Sequence, residues 1–182
     1  TTLFRSPPGY VTTGLGKGVD AIAARSPTLQ RQVKFLQGQG WKIGYGAAGG
    51  GTYADTNPAV KKIVIDGNYA SDPYKTAASL SHEVGHAVYS YRFKPDMSSK
   101  TAFVNSMLGS EGEAALNQIQ VQREVWRAAK VDILKGANPA NVEAFNDAYN
   151  SMVKGGTREA ARAAAGKYSG TLTTSTTGEQ YT

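Results

Sequence analysis

Asp72-Pro73-Tyr74-Lys75-Thr76-Ala77-Ala78-Ser79-Leu80-Ser81-His82-Glu83-Val84-Gly85-His86-Ala87-Val88-Tyr89-Ser90-Tyr91 reads as one amphipathic helix. Asp72 is an N-cap and Pro73 suits the first helical position, where its missing N–H costs nothing. Leu80, Val84, Ala87, Val88 and Tyr91 recur at helical spacing and form an apolar stripe. Pro95 bars continuation. Within this helix His82 and His86 stand four residues apart, which places both imidazoles on one face, one turn from each other. Glu83 is angled beside that face.

This arrangement suits a metal. Two imidazoles at i and i+4 can converge on one ion, and zinc takes nitrogen ligands at about 2.0–2.1 Å. Glu83 is badly placed to join the same coordination shell but well placed to reach a water there, so it is the expected general base and acid of a metal-assisted hydrolysis. His82 and His86 are the chain's two histidines and cysteine is absent. The remaining ligand must therefore be a carboxylate. Glu111, Glu113, Asp96 and Glu124 lie downstream. Glu113 is the expected third ligand, because it falls in the first turn of a helix read as starting at Ser110. The competing reading makes Ser110 and Glu113 a capping box, and Glu111 is the rival ligand. Asn117, Gln120 and Glu124 continue a polar face down the same helix, facing either solvent or a metal cleft.

The composition narrows the alternatives. A chain of 182 residues suits one compact domain, read as 1–182. The lack of cysteine removes disulfides, zinc fingers and thiol catalysis. No apolar run approaches a membrane span. The chain opens Thr1-Thr2-Leu3-Phe4, with no initiator Met and no signal peptide, and is expected to be a domain excised from a longer secreted protein. Its net charge of +6 lies wholly in residues 1–94, but no long basic run or aromatic-basic stripe supports nucleic-acid binding.

Outside the histidine helix, residues 1–16 read as a loop or arm. A short helix is expected around Val19–Arg25, and Ser26-Pro27 opens another carrying Leu29, Val33 and Leu36. Trp41–Tyr45 and Lys62–Asp66 read as two strands paired across a Gly-rich hairpin connection, Gly46–Gly51. That connection lacks the Gly-Lys-Ser/Thr ending of a phosphate loop. A short helix around Thr101–Leu108, a long one from Ser110 to about Lys130, one from Asn138-Pro139 to about Lys154, and an alanine-rich one capped by Thr157 complete the pattern. Residues 169–182 form a Ser/Thr/Gly-rich tail. The fold class expected is α+β, predominantly helical, with a small β-sheet beside the histidine helix.

His82-Glu83-Val84-Gly85-His86-Ala87-Val88 followed by Tyr91 resembles the active helix of zincin metallopeptidases, specifically the gluzincins and the lethal-factor-type toxins. Glu111-Gly112-Glu113-Ala114 is similar to their third-ligand helix, with the second glutamate as ligand. The chain also resembles zincin-type effector domains at the C-termini of type VI secretion spike proteins and polymorphic toxins. The resemblance implies a zincin-like domain with Zn2+ as cofactor and hydrolysis of peptide bonds in a protein or peptide substrate. It further implies a secreted monomeric effector delivered into a target cell or its periplasm, with an immunity protein as partner and no membrane span. It requires an oxyanion donor, and with both histidines spent, Tyr181 and Tyr168 are the expected donors. It also implies that the Ile63–Asp66 strand lines the substrate cleft. Two other functions fit the same residues: a peptidoglycan peptidase or amidase using the same metal, and a binding module with structural zinc.

Overall fold

The computed structural model describes residues 10–172. Six helices and a three-stranded sheet follow in the order α1 (Lys17–Ala23), α2 (Pro27–Gly38), β1 (Lys42–Tyr45), β2 (Tyr53–Asp55), β3 (Lys62–Ile65), α3 (Pro73–Tyr89), α4 (Lys100–Ala129), α5 (Pro139–Val153) and α6 (Arg158–Ser169). The fold is α+β and predominantly helical. No helix among the described residues is long and apolar enough to cross a membrane.

Local chemistry sets the helix starts. Ser26, Asp72, Ser99, Asn138 and Thr157 each turn a side-chain oxygen onto a backbone N–H of the first turn, and Pro27, Pro73 and Pro139 follow three of them. Apolar periodicity sets the inner faces. Leu29, Val33 and Leu36 of α2 meet Ala77, Leu80, Val84 and Ala87 of α3 in the main core, with Ile63 and Ile65 from β3. A smaller cluster of Ala115, Leu116, Ala148, Ala161 and Ala165 joins α4, α5 and α6.

The sheet differs from the expected hairpin. β1 pairs with β3 in parallel, Lys42 opposite Lys62, and the strand order is β1-β3-β2. β2, unread in the sequence, adds to β3 as an antiparallel edge, with Ala54 opposite Ile63. The glycine stretch therefore joins two strands that are not neighbours. A three-residue strand bounded by Thr52 and Thr56 carries too little periodicity to be seen alone. β3 is central, with both its edges paired, so it cannot add a substrate strand; β2 is the strand that borders the cleft.

The second difference is α4. The short helix and the Ser110 helix are one element of 30 residues, capped by Ser99. Its glycines are contact points rather than breaks. A Cβ on Gly112 would stand 2.0 Å from the Arg162 carbonyl oxygen, and one on Gly166 would stand 2.2 Å from that of Leu108. The missing side chains let α4 and α6 pack backbone to backbone.

Candidate metal centre

The histidine face of α3 meets α4 where both helices are slim. A Cβ on Gly85 would lie 2.7 Å from the Ala114 Cα, so glycine there allows α4 to close on α3. Asn117 Nδ2 donates to the Ser81 carbonyl across the contact (2.7 Å) and sets the register of the two helices. Six residues earlier on α4, Glu111 comes to rest between the two imidazoles.

His82 Nε2 lies 3.5 Å from one Glu111 oxygen, and His86 Nε2 lies 3.5 Å from the other. Both gaps exceed the 2.7–3.2 Å of a good N–H···O bond. They match the spacing of about 3.3–3.4 Å between ligands of a tetrahedral ion bound at 2.0–2.1 Å. One ligand atom from each of the three residues fits within 4.8 Å of the others, so His82, His86 and Glu111 form a group that could hold a metal ion. His86 Nδ1 lies 3.0 Å from Ser110 Oγ. When Nδ1 carries the proton and donates to that hydroxyl, Nε2 keeps its lone pair for an ion.

The electrostatics agree. Burial alone would raise the Glu111 pKa, but contact with His82 and His86 reverses this and holds the carboxyl well below its usual range. Burial would lower His82, and contact with Glu111 together with the charge of Glu83 turns the net shift upward. Glu83 shifts up because it is buried, an effect the two imidazoles only partly offset. His82, His86 and Glu111 thus form one interacting group, with Glu83 buried beside the imidazoles.

A cavity of about 810 Å³ opens on this cluster. Its lining includes His82, Glu83, His86 and Glu111, the Gly49–Ala54 stretch, and Phe93 and Met107. Asp66 shapes the glycine wall. Its carboxylate accepts from the backbone N–H groups of Asn68 (2.8 Å), Gly49 (2.9 Å) and Gly51 (3.0 Å), which hold its pKa below the usual carboxylate value. It ends the strand, as its position suggests, and also fastens the loop over the cleft.

Glu113 is not at the centre. Two residues along a helix turn through about 200°, so Glu113 points away from Glu111. It is buried among three arginines: Arg92 at 2.9 Å, Arg158 at 2.8 Å and Arg162 at 3.9 Å. The capping-box reading also falls, because Ser110 lies inside α4. Asn117, Gln120 and Glu124, read as a solvent or metal face, turn towards α2 instead. Gln32 donates to Asn117 Oδ1 (2.6 Å), Gln120 donates to Thr28 Oγ1 (2.9 Å), and Glu124 accepts from the Thr28 N–H (3.0 Å). Asp96 receives the Ser98 N–H in an exposed turn (2.9 Å). Tyr168 is remote from the cleft: its hydroxyl pairs with Asn141 Oδ1 at 3.0 Å and its ring sits edge-on to Phe145. Tyr181 lies outside the described residues. The tyrosines lining the cavity among the described residues are Tyr53 and Tyr69, which no spacing in the sequence singles out.

No protein-family model matches the chain, and neither a curated protein nor a solved structure matches it. The functional reading therefore rests on the site.

Proposed function

We propose that the protein is a zinc-dependent metallopeptidase, with His82, His86 and Glu111 as ligands and Glu83 as general base and acid. The observation that carries this is the pair of 3.5 Å gaps between one carboxylate and two Nε2 atoms, beside a buried Glu83 that opens on a cavity. Zinc held there would supply Lewis acidity and make water a nucleophile at neutral pH. Glu83 takes the proton of the attacking water and delivers it to the leaving amine, and burial, which raises its pKa, favours its holding that proton between the two steps. Ser110 orients His86. Asp66 keeps the glycine wall in place so that a peptide backbone can approach closely.

A purely structural zinc would take a fourth protein ligand and close the site. Among the described residues three ligands converge, next to open space. On the resemblance of the histidine helix, the reading extends to a secreted effector acting on polypeptides of a target cell. Glu83→Gln tests the chemistry. The variant is expected to bind zinc in the same ratio as the wild type and to lose hydrolysis of casein by about 10²–10⁴-fold, the usual contribution of a positioned general base. Full activity in Glu83→Gln would sink the mechanism.

A further inference from the structure

The ligand face of α3 does not end at His82. Lys75, Ser79, His82 and His86 follow one another at spacings of four, three and four, so they share one stripe of the helix. On α4, Gln118 lies seven residues beyond Glu111, on the same face. Ser79 and Gln118 line the metal cleft, and both also line a second cavity of about 410 Å³. The two spaces therefore border these same side chains, and Gln118 Nε2 is held there by donating to the Ala78 carbonyl (2.9 Å).

The second cavity is built differently from the first. Its lining includes the apolar Ile119, Leu134, Val142 and Phe145 together with Lys75 and Lys135. Neither lysine is in an ion pair among the described residues. Lys75 rests over the Tyr69 ring, 4.1 Å from its centroid. The carboxylate of Asp72, also in the lining, accepts the N–H groups of Tyr74 and Lys75 as the cap of α3. The metal cleft, by contrast, has no lysine or arginine in its lining.

We propose that this second cavity is a distal subsite of the same cleft, which seats an apolar residue of a polypeptide substrate flanked by an acidic one. The occupant is the chain being cut, because the cavity shares Ser79 and Gln118 with the cleft, and the two lysines of its lining are opposite in charge to an acidic side chain. The subsite's distance from the bond follows from the helix. Seven residues of α3 separate Lys75 from His82, about 10 Å, which an extended peptide covers in about three residues. The inference rests on the peptidase reading and adds to it a substrate class and a position.

A quenched-fluorescent octapeptide library, fixed at one position at a time, tests it with the zinc-loaded enzyme. The expected result is a preference for an apolar residue about three positions from the cleaved bond, on one side only. Relative to glycine the preference is about tenfold or more in kcat/KM, the size of a filled apolar pocket. An adjacent Asp or Glu adds roughly two- to fivefold, as an exposed ion pair does. In the exposed double variant Lys75→Glu/Lys135→Glu, the acidic preference inverts to a basic one. Flat selectivity at that distance, or an acidic preference unchanged in the double variant, overturns the subsite and leaves the peptidase reading standing. No peptide cleaved, with or without hydrolysis of purified sacculi, overturns both.

Discussion

At the scale of single residues, the centre depends on which way three carboxylates point. Glu83, Glu111 and Glu113 are each at least largely buried; Glu83 and Glu111 share the two imidazoles, and Glu113 meets a different set of cations. Glu111 faces two imidazoles and Glu113 faces three guanidinium groups. Removing each should separate their roles. Glu111→Ala is expected to lose tight zinc binding while folding normally. Glu113→Ala is expected to keep zinc and lose about 1.5–3 kcal/mol of stability, the scale of hydrogen bonds to charged groups. Metal analysis with urea unfolding of both variants checks this, and zinc lost from Glu113→Ala alone would reverse the assignment. His82, Glu83 and His86 were legible because their relation is internal to one helix. The choice between Glu111 and Glu113 was not, since either residue suits a helix and only the packing of α4 on α3 selects a direction.

At the scale of elements, glycine decides how close helices come. The sequence around Gly109, Ser110 and Gly112 has the composition of a helix start, and it reads as one. In the fold it is mid-helix, because the backbone approach of α6 needs a position without a Cβ. The two glycines make an internal comparison. A Cβ on Gly109 meets nothing within 4 Å, while one on Gly112 strikes the Arg162 carbonyl. Gly109→Ala should stabilise the protein by about 0.5–1 kcal/mol through helix propensity. Gly112→Ala should cost about 1–3 kcal/mol through overpacking. Thermal and urea unfolding of both variants would show opposite signs; equal effects would mean that α4 and α6 are not in backbone contact. The missed strand β2 belongs to the same scale. Its three residues are held by pairing with β3, a partner that appears only when the sheet forms.

At the scale of the whole molecule, the site is a junction of elements that are far apart in the chain. The ligands come from α3 and α4, the cleft wall from the loop that Asp66 ties down and from β2, and the distal cavity from α3, α4, α5 and the segment before α5. A metal bound at that junction stabilises the folded state in proportion to its affinity. At free zinc about a hundredfold above Kd, the linkage is about 2.7 kcal/mol. For a chain of this size that corresponds to a rise in melting temperature of about 5–10 °C. Calorimetry should show the rise with zinc, its reversal by a chelator, and its absence in His82→Ala; a melting temperature indifferent to zinc would argue against the centre. Local sequence encodes the helices other than α4, the caps at Ser26, Asp72, Asn138 and Thr157, the α+β class, and the pairing of His82 and His86 beside Glu83, because these depend on neighbours within a few residues and on the 3.6-residue period. Only the tertiary structure decided the parallel sheet, the continuous α4, the third ligand and the shape of the cleft. These depend on which surfaces approach closely enough to exclude a Cβ, a contact between distant parts of the chain that no local spacing encodes.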